Sequence, residues 1–180
     1  MQDAFVAVDA VSLPLADGLG FRSETEADLP FLQRLYASTR AAELRQAPWS
    51  EADKQAFLVQ QFAMQRRYYR EHFPDAAFDL VLHRGQPIGR RYIARAPDLL
   101  TIIDLALLPD WCGQGRGSSM LAALQREAAA KGIPIRLHVE YDSPAVRLYT
   151  RLGFVEIARN GVHSKQQWTP LALSSVPESP

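Results

Sequence analysis

The stretch CGQGRGSS at 112–119 sets the tightest limit on how this chain can fold. Three glycines alternate with other residues directly behind the apolar run LLTIIDLALLP at 99–109. Glycine loses more backbone freedom on ordering than any other residue, so such a cluster needs a reason. One reason is a tight turn. The other is close approach of backbone to a phosphate at a helix N-terminus, where the first N–H groups lack partners and the helix dipole is positive. The glycines alone do not separate the two, but both put a strand before the loop and a helix after it.

Periodicity on either side extends that unit. Residues 19–24 read as a strand, and a helix is predicted from Ala27 to Leu44, with capping-box spacing at Thr25 and Asp28 and with Leu32, Leu35, Tyr36 and Thr39 on one face. Ala47-Pro48-Trp49 breaks it. Ser50 and Asp53 open a second helix to His72, whose Phe57, Leu58, Phe62, Met64, Tyr68 and Tyr69 form a broad apolar stripe. Three strands follow at 77–83, 88–94 and 99–108, an antiparallel meander whose last member is the most apolar and hence central. Behind the glycines a helix runs to Lys131, burying Met120, Leu121, Leu124 and Ala128 and ending at Gly132. Ile135–Glu140 is a strand, Pro144 to Leu152 a helix stopped by Gly153, and a closing hairpin turns at Gly161. The strand, glycine loop, helix and next strand make a crossover, so those strands are expected to be parallel within a mixed sheet.

At 180 residues the chain is expected to hold one domain over 19–170, with an N-terminal extension at 1–18 and a tail at 171–180. Lys plus Arg and Asp plus Glu number 20 each, so no general basic excess draws it to nucleic acid or to an anionic membrane. Two arginine clusters, Arg66/Arg67/Arg70 and Arg90/Arg91/Arg95, read as solvated faces or local patches. One cysteine, Cys112, excludes an internal disulfide. The four histidines (72, 83, 138, 163) lack metal-ligand spacing, so no metal is expected. No run is long or apolar enough to span a bilayer, and the acidic N-terminus makes a poor signal peptide, so a cytoplasmic location is expected.

Three kinds of phosphate loop fit the glycines unequally. A Walker loop needs Lys-Ser/Thr after its last glycine, and here Ser118 follows Gly117 with no lysine. A dinucleotide fingerprint needs GxGxxG near the start of the fold, and here the spacing is GxGxG past the midpoint. The third is an acyl-CoA loop. LALLPDWCGQGRGSSML resembles the fourth strand and pyrophosphate loop (Gln/Arg-x-x-Gly-x-Gly/Ala) of the GNAT (Gcn5-related N-acetyltransferase) superfamily. Downstream, SPAVRLYTRLGF at 143–154 is similar to its second signature, an Asn, Ala, Tyr and Gly-Phe series. The two occur in the family's order, and the resemblance covers about 19–170.

The resemblance implies an α/β (α+β) fold: a mixed, mostly antiparallel sheet of about seven strands with helices on both faces and its fourth and fifth strands splayed into a V. It implies acetyl-CoA as co-substrate, its pantetheine arm pairing with Leu105, Ala106 and Leu107, and its pyrophosphate on the N–H groups of Cys112, Gly113, Gln114, Gly115, Arg116, Gly117 and Ser118. Ser143, Leu148 and Tyr149 would complete the cofactor contacts. Two positions depart from the pattern: Cys112 replaces Gln or Arg, and Ser143 replaces Asn. Arg116 reads either as a replacement for the lost charge or as a simply exposed side chain. Cys112 itself reads either as a small loop residue or, beside a helix N-terminus, as a thiolate nucleophile.

Direct acyl transfer needs a deprotonated amine, whereas a lysine-like amine titrates near about 10.4. The base candidates are Glu140, at the end of the fifth strand, and Asp104, an acid amid IIDLAL that is either a partnered structural group or catalytic. Tyr149 stands where the family places its acid, and reads otherwise as a tyrosine packed on the cofactor as a spacer. Trp49, which reads otherwise as a core tryptophan, and Tyr68, Tyr69, Arg66 and Arg67 are candidates for acceptor recognition, and the long second helix leaves room for a homodimer interface. The expected partners are acetyl-CoA and an amine acceptor. A CoA-binding or regulatory module without turnover is the alternative, and a nucleotide-dependent oxidoreductase is a third class.

Overall fold

Seven strands form one mixed sheet in the computed structural model, which describes residues 18–171. The segments expected at 1–18 and 171–180 lie almost wholly outside the described residues. The strands are β1 (Leu19–Ser23), β2 (Ala77–His83), β3 (Gln86–Ala96), β4 (Leu99–Leu107), β5 (Ile135–Glu140), β6 (Val155–Asn160) and β7 (His163–Trp168). Their spatial order is β1-β2-β3-β4-β5-β7-β6, so the apolar 99–107 strand is central, as its composition predicts. Every neighbouring pair is antiparallel except β4 and β5, which the glycine-loop crossover makes parallel.

Helices α1 (Leu29–Arg45) and α2 (Glu51–His72) cover one face; α3 (Arg116–Lys131) and α4 (Ala145–Arg151) cover the other. The Thr25 N–H and hydroxyl both donate to the Asp28 carboxylate, at 2.8 and 3.0 Å. They close a 3-10 turn at Glu26–Asp28, so regular helix begins at Leu29 rather than at Ala27. Ser50 caps α2 by accepting from the Asp53 N–H at 3.1 Å. On the α3 face, Leu121, Leu124 and Ala128 pack on Leu100, Ile102, Ile135 and Leu137. On the α1 face, Leu32, Leu35, Tyr36 and Phe62 pack over Leu80.

The apolar stripe expected on α2 reaches the core only through Phe62, with Leu58 packed beside it. Only Phe62 is buried; Met64 and Tyr68 face outward, 48% and 52% exposed. The second half of α2 meets the sheet through polar groups instead. Arg70 lies 2.5 Å from the carboxylate of Glu24, whose side chain is 1% exposed, and the Tyr92 hydroxyl donates to that carboxylate as well. Arg66 reaches Glu24 and Glu26. On β3, Arg91 pairs with Asp79 at 2.9 Å and Arg95 with Glu127 at 2.8 Å. Arg90, buried, and Arg91, half-buried, are thus held in ion pairs, as their half-buried carboxylates demand, Arg66, Arg70 and Arg95 pair at the surface, and Arg67 stays on the solvated face.

Two bulges shape the centre. Tyr92 pairs with Asp104 and Ile93 with Ile102, leaving Ile103 as an extra residue in β4. Ile88 is likewise extra in β3, just before Gly89, where a methyl group would collide with the Ala106 carbonyl. Bulges bend a strand, and here β4 leaves β5. Their ladder holds only Leu100–Ile135, Thr101–Arg136 and Ile102–Leu137. Beyond it β4 stays with β3 and β5 with β7, so the sheet opens into a V and residues 103–107 have no strand partner on the side that faces β5.

Candidate active site

The loop that follows β4 shows what its glycines do. Gly113 and Gly115 hold φ at +71° and +80°, the left-handed region that side chains resist. A methyl on either would touch nothing within 4 Å, so backbone conformation rather than crowding selects glycine. Gly117 has an ordinary φ, and a methyl there would sit 3.4 Å from Leu148 on α4. Its smallness sets how closely α3 and α4 approach.

The Cys112 N–H donates to the Pro109 carbonyl at 3.1 Å, and that of Ser119 to Gly115 at 2.9 Å. Among the described residues, the N–H groups of Gly113 to Ser118 between them have no protein acceptor. The expected row of donors is therefore one residue shorter, because Cys112 spends its N–H inside the turn. Gly115 caps α3 without a side chain, and no acidic residue lies in the first turn. The partial positive charge of the helix end is uncompensated, which is what an anion site needs. Arg116 leans over the Trp111 ring at 4.6 Å and donates to the Gln114 side-chain carbonyl, while the Gln114 amide donates to the Asp110 carbonyl at 2.6 Å. The guanidinium is thus held at the rim of the loop. The exposed Cys112 thiol lies 3.5 Å from the Leu108 carbonyl.

The loop opens directly into the V. On β4, Leu105 and Leu107 turn toward α3, and Ala106 toward α1. Tyr149 on α4 is 8% exposed and packs edge-on against Phe154 with centroids 5.6 Å apart. Burial, and then the negative charge of Asp104, push its phenol up to about 12. It therefore carries its proton throughout the neutral range. The Ser143 hydroxyl accepts from the Ala145 N–H at 3.3 Å and so steadies the start of α4.

The two candidate carboxylates are both tied to arginines. Asp104 receives Arg90 as a fork, Nε at 3.2 Å and Nη2 at 2.7 Å, and the Tyr69 hydroxyl at 3.1 Å. Arg90 Nη2 also donates to Gln65 at 2.7 Å. Burial, then the Asp104 charge, raises the Tyr69 phenol above its ordinary value. Glu140 is about half exposed and stands 3.5 Å from Arg40 of α1, which also meets Glu43 at 3.2 Å. Gln65 has no place in the sequence reading, and Arg90 enters it only as a member of an arginine cluster, not as a partner of Asp104. The signal for Arg90 was an arginine and an aspartate at inward positions of neighbouring strands. Trp49 is 45% exposed and edge-on to Phe57, so it is not a core residue; Tyr68 stacks on His72 at 3.9 Å. No cluster of His, Cys, Asp and Glu suited to a metal ion occurs among the described residues.

A model of the acetyltransferase (GNAT) family matches residues 36–154. Among solved structures, the chain is similar to the PaiA N-acetyltransferase from Thermoplasma acidophilum in complex with coenzyme A, with 17% identity, a TM-score of 0.63, and 84% of this chain and 98% of that one covered. It is similar to the ribosomal-protein-S18-alanine N-acetyltransferase from Escherichia coli at 22% identity and TM-score 0.55, over 88% of this chain and 98% of that one. An acetyl transferase from Salmonella typhimurium that modifies the N-terminal serine of ribosomal protein L7/L12 matches at 19% identity and TM-score 0.58, over 88% and 97%. At these identities the likeness is one of fold. No curated protein sequence matches.

Proposed function

The chain belongs to the acetyltransferase (GNAT) family, and on that premise we propose that it moves an acetyl group from acetyl-CoA directly to a primary amine of a small molecule or protein. The observation that carries this reading is the continuity of one segment, 103–118. Its first part is an unpartnered strand edge and its last part a row of unpartnered N–H groups at an uncapped helix end. An extended amide-bearing chain that ends in a pyrophosphate fits such a segment in that order.

Acetyl-CoA supplies the activated thioester and a thiol leaving group. Gly113 to Ser118 hold the pyrophosphate through backbone N–H groups, and Arg116 adds the positive charge that Cys112 does not bring. Leu105, Ala106 and Leu107 offer their free edge to the pantetheine arm, with Leu148 and Ser143 alongside. Tyr149, buried and protonated, donates to the departing sulfur. Asp104, locked to Arg90 and Tyr69, holds the mouth of the V in shape. We place the reaction in the cytoplasm; no helix among the described residues is long and apolar enough to cross a membrane.

The test is a thiol-release assay over a broad amine panel, run on the wild type and on Tyr149→Phe. At least one amine is expected to release thiol. The variant is expected to bind acetyl-CoA as the wild type does and to lose about 100-fold in kcat, the low end of what a positioned proton donor contributes. Acetyl-CoA binding without turnover of any amine would instead mark a binding module.

A further inference from the structure

We propose that His138 takes the proton from the acceptor's ammonium group, a role that rests on the acetyl transfer proposed above. The ladder between β4 and β5 ends at the pair Ile102–Leu137, and His138 is the first residue of β5 beyond it. Leu137 and Val139 point into the core under α3 and α4. Strand alternation therefore puts His138 on the opposite face. The core beneath α1 and α2 draws on β2 and β4 but on nothing from β5, so His138 stands uncovered at one lip of the V.

Three side chains of β4 and β5 on that face of the opening could accept a proton. Asp104, on the other lip, has both oxygens engaged by Arg90 and Tyr69. Glu140 is paired with Arg40. The ring of His138 has no hydrogen-bond partner among the described residues, so its acceptor nitrogen is open to an incoming group. The charged and titratable groups that share its surroundings are Lys165 and His163 on β7, Arg136 and Glu140 on its own strand, Asp104 across the opening, and Arg40 of α1. Lys165 is its register partner, and paired residues project to the same side. Partial burial, then the Lys165 and His163 charges, hold the imidazole below the ordinary histidine value. That direction favours the neutral imidazole, the form in which a histidine accepts a proton.

The proton count closes. His138 takes one proton from the ammonium and passes it to water. The freed nitrogen pair forms the C–N bond to the acetyl carbon, and the C–S bond breaks with its electrons going to sulfur. The surplus proton left on nitrogen returns to sulfur through the Tyr149 hydroxyl.

The experiment is the pH profile of kcat/KM for an amine turned over by the wild type, compared with His138→Gln and Lys165→Gln, with acetyl-CoA affinity measured in parallel. His138→Gln is expected to keep its acetyl-CoA affinity, to lose about 100-fold near pH 7, and to follow the acceptor's own ionisation upward with pH. Lys165→Gln is expected to stay active with its acid limb moved to higher pH, because the imidazole regains basicity. A His138→Gln protein within about threefold of wild type, with an unmoved acid limb, overturns this role alone. A wild type that binds acetyl-CoA and turns over no amine overturns acetyl transfer and this role together.

Discussion

The three loop glycines differ in what they do, and substitution should separate them. Gly113 and Gly115 owe their identity to φ, Gly117 to the nearness of Leu148. Alanine at 113 or 115 forces a left-handed backbone at about 1–2 kcal/mol, or lets the loop relax and swing its N–H groups away. Either outcome should weaken acetyl-CoA binding by tenfold or more with only a small fall in melting temperature. Gly117→Ala keeps an ordinary φ, and Leu148 can yield by a few tenths of an ångström, so the loss of affinity should be smaller. Titration calorimetry on the three variants checks the order. Equal losses at all three positions would mean that crowding, not conformation, selects the glycines. The loop was legible in the sequence as a loop. That its first N–H is consumed by a 3-10 turn was not, because that bond depends on the carbonyl of Pro109 folding back.

Elements were far more legible than their contacts. Periodicity, caps and glycine punctuation located the strands and helices, since those signals are local. The α2 stripe failed for a physical reason. Its apolar residues are too spread around the helix to share one face, and beneath its second half lie Glu24, Arg90 and Asp104, while Phe62 alone is buried, over Leu80. The bulges at Ile88 and Ile103 left no local trace either, because they record how strands register against one another. Arg90–Asp104 is the sharpest case, with side chains 4% and 13% exposed. Asp104→Asn keeps the shape but leaves the Arg90 charge buried without a counter-ion, which should cost about 3 kcal/mol or more. Urea unfolding measures it. The double replacement Arg90→Met with Asp104→Leu should recover most of that loss, since an apolar pair of similar volume removes the desolvation problem. A single variant as stable as wild type would show that water already reaches the pair.

At the scale of the whole molecule, the V divides the sheet. One half is β1 to β4 with α1 and α2; the other is β5, β7 and β6 with α4. Three ladder pairs, α3 and the core around Leu137 join them. A ligand lying along 103–118 bridges both halves and satisfies groups that are otherwise left to water, so it should stabilise the molecule as a unit. For a ligand that binds only the folded state, a concentration 100 times Kd adds about 2.7 kcal/mol. In a chain of this size each kcal/mol raises the melting temperature by about 2–4 °C. Acetyl-CoA at that excess should therefore raise it by about 5–11 °C. NAD and ATP also carry phosphate chains and could use the same N–H groups. Neither brings an extended amide arm to the β4 edge, so their shifts should be a small fraction of that. Hydrogen exchange localises the effect: acetyl-CoA should slow the amides of Gly113 to Ser118 together with those of β4 that face the opening. Protection confined to the loop would reduce the site to an anion cradle, and a larger shift with NAD than with acetyl-CoA would return the chain to the dinucleotide class that the glycine spacing first left open.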